Sequence, residues 1–295
     1  MPREAGPSRE AWPVHADAAP FEASARRVET PCGEGRMVWR IWGEGPPLVL
    51  LHGGYGSWLH WIRTIPAFAD RRTLHVPDLP GLGDSDEAPP PGGPAQIARA
   101  VADGLAALRL APATLDMVGF SFGGMIAGHV AAMQPLNMLT LVGAGGLGLP
   151  RVPIVLAREE PGMTAGERRE VHRANLGLLM LHDPAAIDDL AIAMQADNVA
   201  RARVKSRRFS GGSALADALA TARPRHLNAI WGARDATVGP YMAEREAWVR
   251  ALRPDATFTV IPGAGHWVAY EAADAFNRVL GRQLAVAAGG GAGEG

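Results

Sequence analysis

A serine flanked by glycines, Gly119-Phe120-Ser121-Phe122-Gly123, follows one apolar run and opens a helix-period stretch. A strand, a tight turn and a helix around one serine leave its hydroxyl exposed at the edge of a sheet, as nucleophilic attack requires. An alcohol is a weak nucleophile at neutral pH, so a base must come within hydrogen-bond reach. Of the nine histidines, His266 in Gly263-Ala264-Gly265-His266-Trp267 lies between an apolar run and the last helical pattern. His15 falls near the terminus, His75 in a strand, His129 in the helix after the serine, and His172 and His182 in a helical stretch, where surface or packing roles suit them better. The base needs a carboxylate on its other ring nitrogen to fix the tautomer. Asp235, reached from the run 227–231 through Gly232-Ala233-Arg234, can supply it; its bland alternative is a turn or helix-capping residue.

Attack on a carbonyl creates an oxyanion, which calls for donors already aimed at it. The Phe122 amide at the helix start is one candidate. Gly54, with Tyr55 as the lesser alternative, is the other, in His52-Gly53-Gly54-Tyr55-Gly56, where His52 is expected to brace the loop. Gly53, Tyr55, Trp58, Phe120, Met180, Met194 and Trp267 are expected to wall a substrate pocket, joined by Trp61, Leu178, Leu179 and Leu181. All but the glycine are also residue types that fill cores. The expected chemistry is acyl transfer in two steps, with water releasing the acyl group.

A second glycine pattern, Gly143-Ala144-Gly145-Gly146-Leu147-Gly148, matches a dinucleotide-binding fingerprint, yet Pro150 and Pro153 block the helix that would receive a pyrophosphate. No Cys/His cluster or His-Glu-x-x-His has metal-ligand spacing, so no metal and no cofactor is expected. The lone Cys32 cannot form an internal disulfide, which points to a reducing, cytoplasmic setting. With 29 basic and 30 acidic residues interspersed, the net charge of −1 favours neither nucleic acid nor an anionic membrane. No signal peptide and no membrane-spanning run is visible, so the expected partner is a small-molecule substrate, with self-association left open.

The chain must hold these residues at the ends of strands. Its 295 residues, 47% hydrophobic, suffice for one large core plus an insert. Apolar runs at 37–42, 48–51, 73–76, 115–119, 138–142, 227–231 and 257–261 alternate with helical patterns at 57–69, 95–108, 122–133, 241–252 and 268–284. This predicts an α/β fold, a mainly parallel central sheet with helices on both faces. The alternation breaks at 147–222, where roughly 75 residues look helical, too long for an ordinary connection and read as an inserted helical cap over the site. The core is then 26–146 and 223–288, with frayed ends at 1–25 and 289–295.

Taken together, His52-Gly53-Gly54, Asp78-Leu79-Pro80-Gly81-Leu82-Gly83-Asp84-Ser85, the serine turn, Gly232 to Asp235 and Gly265-His266-Trp267 resemble the α/β-hydrolase superfamily over roughly 37–285. The resemblance implies the α/β-hydrolase fold and a Ser121, Asp235, His266 triad in the order that fold uses. Gly265-His266-Trp267 followed by Glu271 and Phe276-Asn277-Arg278 is similar to the meta-cleavage-product hydrolases, capped serine enzymes that split carbon–carbon bonds, and capped carboxylesterases are the neighbouring family. Those carbon–carbon hydrolases usually carry Asn before the nucleophile, where this chain has Phe120. They also hold the substrate carboxylate with a cap arginine, for which Arg201, Arg203, Lys205, Arg207 and Arg208 are candidates if the run is not simply a solvated face. The lost Asn favours cleavage of a small carboxylic ester, with carbon–carbon cleavage or a catalytically silent ligand-binding relative as alternatives. Dehalogenases of this fold use an Asp nucleophile, which Ser121 excludes.

Overall fold

The computed structural model describes residues 15–289. Eight strands form one sheet: β1 Arg26–Cys32, β2 Gly35–Trp42, β3 Pro47–Leu51, β4 Thr73–Pro77, β5 Asp116–Phe120, β6 Met138–Val142, β7 His226–Gly232 and β8 Thr257–Ile261. Their order is β1-β2-β4-β3-β5-β6-β7-β8, with β2 antiparallel to both β1 and β4 and all other pairs parallel. The parallel strands are covered on both sides, so β3 sends Leu48 and Leu50 into one core and Val49 and Leu51 into the other.

Among the described residues there are ten α-helices: α1 Ala19–Ser24, α2 Ile65–Phe68, α3 Pro94–Ala107, α4 Phe122–Met133, α5 Ala165–Asn175, α6 Asp189–Arg201, α7 Ala214–Thr221, α8 Met242–Leu252, α9 Val268–Glu271 and α10 Ala273–Gly289. The helix expected over 57–69 is instead a 3-10 turn at Trp58–Trp61 and the four-residue α2. Pro66 fixes the start of α2, where its missing amide costs nothing.

Two expected boundaries shift. Of the stretch 1–25, residues 1–14 lie outside the described part, as do 290–295, but 15–25 pack: Glu22 bonds buried Arg40, and Trp42 Nε1 donates to Phe21 O at 3.0 Å. Within 147–222, Asn175 of α5 and Gln195 and Val199 of α6 line the same cavity as Ser121, whereas Leu215 and Leu219 of α7 are buried in one core with residues of α4. Helix α7 is therefore a layer of the core, because its apolar face meets α4 and not the cavity.

Strand order reverses between β3 and β5, which lie side by side with Leu51 opposite Gly119. In open α/β sheets the crevice at such a reversal, outside the carboxyl ends, is where ligands bind. The loop after β3 and the turn after β5 thus open into one place.

Candidate active site

Ser121 sits between β5 and α4 at φ +52°, a conformation a serine adopts only under constraint from its surroundings. Its amide donates to Val142 O at 2.7 Å, and its carbonyl accepts from Gly124 and Met125 at the helix start. Helix α4 crosses β3 closely: a side chain at Gly123 would collide with Leu51 O and His52 O. Glycine is required there because backbone cannot yield as a flexible side chain can.

His266 Nε2 lies 3.0 Å from Ser121 Oγ, and His266 Nδ1 lies 2.8 Å from Asp235 Oδ2. An ionised carboxylate only accepts, so Nδ1 carries the proton and Nε2 is free to accept the serine hydroxyl. Asp235 Oδ1 is filled by the Thr237 amide at 2.9 Å and the Thr237 hydroxyl at 2.7 Å. Burial alone would raise the Asp235 carboxyl, but His266 and Thr237 more than reverse it and hold it below the usual carboxylate range.

The loop bearing His266 is tied to its surroundings at three points. Glu271 accepts from the Gly265 amide at 2.5 Å and from the His182 amide at 2.8 Å, and Trp267 N donates to Met180 O at 2.7 Å. The loop bearing His266 and the segment near residue 180 are consequently one bonded unit.

The loop after β3 is braced as expected of His52, whose Nε2 accepts from Leu79 N at 2.8 Å while Nδ1 bonds Gly53 O. His60, which local sequence does not mark, accepts from Gly53 N at 3.1 Å and is fully enclosed. Gly53 thereby uses its amide, while those of Gly54 and Phe122 have no acceptor among the described residues. The Asp78–Ser85 segment backs this loop: Arg40 donates to Asp78 Oδ2 at 3.0 Å, and Trp58 N donates to Asp78 Oδ1 at 2.9 Å.

Burial holds His52 below its ordinary value of 6.5, and burial with neighbouring imidazoles holds His60 well below it. Both stay neutral when folded but gain protons when unfolded, so their contribution to stability is full above about pH 6.5 and declines as pH falls from there towards the folded values. Folding free energy from denaturant titration is expected to fall below pH 6.5 by up to about 1.4 kcal/mol per pH unit for each such histidine. A flat profile between pH 7 and 5 would contradict this assignment.

Ser121 and His266 open into a cavity of about 890 Å³, within the range of ligand pockets. Gly53, Gly54, Tyr55, Phe120, Phe122 and Met180 line it, with Leu179 beside them. Trp58, Met194 and Trp267 do not reach it, a correction to the expected pocket. Trp58 packs on Trp42, Met194 faces the core, and Trp267 stacks on Tyr270 at 4.3 Å while its Nε1 donates to His60 O. Trp61 and Leu181 are likewise core residues, and Leu178 faces outward.

Of the basic residues at 201–208, Arg201 pairs with Asp84 and Asp197, and Arg203 bonds Ser85 O. Lys205 is exposed, and only Arg207 and Arg208 line the cavity, together with Arg151 and Arg158, which the sequence did not mark. The Gly143–Gly148 pattern forms no nucleotide loop; its turn is bonded to the strap after α6, with Gly146 N donating to Ser210 O and Gly148 N to Gly212 O. Among the described residues there is no group of three or more His, Cys, Asp or Glu that could hold a metal, and no helix is long and apolar enough to cross a membrane.

The family profile described as the alpha/beta hydrolase fold matches residues 46–273. A pimeloyl-[acyl-carrier protein] methyl ester esterase of Chromobacterium violaceum is 35% identical over 242 residues, 76% of this chain and 88% of that protein. The dihydrolipoyllysine-residue acetyltransferase component of an acetoin cleaving system of Pseudomonas putida is 28% identical over 83% of this chain, which spans only 66% of that protein. A crystal structure of the meta-cleavage product hydrolase from Pseudomonas fluorescens IP01 superposes with a TM-score of 0.68 at 20% identity, covering 88% of this chain and 98% of that one, a likeness of fold alone. With the profile spanning most of the chain, this protein belongs to the α/β-hydrolase family.

Proposed function

We propose that the protein is a serine ester hydrolase working through an acyl-enzyme. The observation that carries this reading is the bonded series Ser121 Oγ, His266 and Asp235, at 3.0 and 2.8 Å, opening into a cavity beside two amides without acceptors. Ser121 Oγ attacks the ester carbonyl as its proton passes to His266 Nε2, and Asp235 stabilises the imidazolium. The Gly54 and Phe122 amides hold the oxyanion, each such donor being worth roughly 3 kcal/mol of barrier. Collapse returns the proton to the leaving alcohol, and water activated by the same imidazole releases the acid. The 35% identity to a methyl ester esterase supports the ester reading.

One observation favours a substrate that carries a negative charge. Arg151, Arg158, Arg207 and Arg208 line the cavity, and no Asp or Glu is among its lining residues. That lining suits an acid-bearing ester, and equally the second reading, carbon–carbon hydrolysis of a vinylogous diketone acid. Phe120 weighs against the latter, since its ring lies 5.1 Å from that of His266 and offers no hydrogen bond where the carbon–carbon enzymes have an amide.

A fluorophosphonate probe tests the nucleophile directly. One adduct per chain is expected, on the peptide containing Ser121, with p-nitrophenyl ester turnover lost in parallel. Absence of any adduct would leave the silent-binder alternative standing. Turnover of the diketone acid in preference to every ester would replace the ester reading with the carbon–carbon one.

A further inference from the structure

The Ser206 hydroxyl is buried where nothing in the fold uses it. The residue is 2% exposed and its Oγ has no hydrogen-bond partner among the described residues. Buried hydroxyls in native proteins almost always have a partner in the protein, in ordered water or in a ligand. An orphan of this kind calls for an occupant.

Ser206 begins the turn Ser206–Phe209, which belongs to a strap fixed to the core at both ends. Arg203 N donates to Gly81 O at 2.9 Å, and Ser210 O accepts from Gly146 N at 3.0 Å. Between these anchors Arg207 Nη2 donates to Ile154 O at 2.9 Å. The hydroxyl is held in place without any bond of its own.

Gly54 reports where that hydroxyl lies. A side chain at Gly54 would collide with Ser206 Oγ and come 3.5 Å from Phe122 Cβ. Ser206 therefore roofs the corner between the two residues whose amides lack acceptors, and it lines the same cavity as Ser121 and His266. We propose that Ser206 is a third oxyanion donor, delivered by the cap strap, whose O–H bonds the carbonyl oxygen of the bound ester as that oxygen gains charge. The proposal rests on the serine-hydrolase reading above. No proton is transferred: the hydroxyl donates to the oxygen while it is negative, and the bond weakens when the carbonyl re-forms. A donor fixed in advance needs no reorganisation when the charge appears, so it acts on the transition state more than on bound substrate.

The orphan state makes Ser206→Ala a clean test, because the substitution breaks no bond within the fold. With p-nitrophenyl esters, kcat is expected to fall about 10- to 100-fold with KM nearly unchanged, while Tm stays level or rises. Ser206→Thr, which keeps a hydroxyl, is expected to regain much of the loss if its melting curve matches wild type. A purely structural role would give the opposite pattern, a lower Tm with kcat per folded molecule intact. Unchanged kcat in Ser206→Ala beside an active wild type overturns this inference and leaves the serine-hydrolase reading in place. A wild type that neither turns over esters nor takes the fluorophosphonate label overturns both.

Discussion

Ser121→Ala is expected to lower ester turnover by about 10⁴-fold or more while leaving the melting temperature close to that of wild type. The loss follows from what would remain on the proposed mechanism: the oxyanion donors and binding could still assist water, but the hydroxyl that His266 Nε2 bonds would be gone. Stability should survive because Ser121 Oγ bonds only His266 Nε2, at 3.0 Å, and the backbone of the turn is held by its own amide and carbonyl contacts. Initial rates with a p-nitrophenyl ester, set beside thermal melts of both proteins, check the two halves together. Equal turnover by wild type and variant would remove Ser121 from the mechanism.

The residues proposed to carry this chemistry are legible in the sequence because each follows a strand that hydrophobic periodicity marks well. Strands β6 and β8 run over 138–142 and 257–261 as expected, and the triad candidates stand just beyond β5, β7 and β8. Strand β1 is missed for a physical reason: its first residues are charged and exposed, and only Thr30 and Cys32 are buried, so no apolar alternation announces it. The strand is made by pairing with β2, a partner that local composition does not reveal.

The pocket is less legible than the triad because its walls are decided by long-range contacts. A tryptophan beside the base reads naturally as a pocket wall, yet Trp267 is turned into the core by a bond from its Nε1 to His60 O, 207 positions away. Ser206 shows the converse, since nothing around a serine in a basic run indicates that the strap will seat it on Gly54. Arg151 likewise becomes a cavity residue only because the segment after β6 is bonded along the site, Val152 N donating to Thr237 O at 3.1 Å. Periodicity encodes which face of an element is buried; which buried side chain meets the ligand depends on how elements far apart in sequence come together.

Asp235→Asn is expected to lower kcat by about 10⁴-fold, with folding preserved, and the surroundings of the carboxylate say why so similar a side chain should fail. Oδ1 accepts both the amide and the hydroxyl of Thr237, and the amide can only donate. An asparagine must therefore put its carbonyl oxygen at that position and its NH₂ at the other, 2.8 Å from His266 Nδ1. Two donors cannot face each other, so the imidazole shifts its proton to Nε2 and presents N–H to Ser121 Oγ. The serine then meets a donor where it needs an acceptor, and the imidazolium loses the charge that would stabilise it. Steady-state kinetics with a p-nitrophenyl ester should show the loss in kcat, while circular dichroism and Tm remain near wild type because both Thr237 bonds survive. A variant retaining more than about a tenth of wild-type kcat would mean that the tautomer of His266 is set by some other group, contrary to the 2.8 Å contact that defines its orientation here.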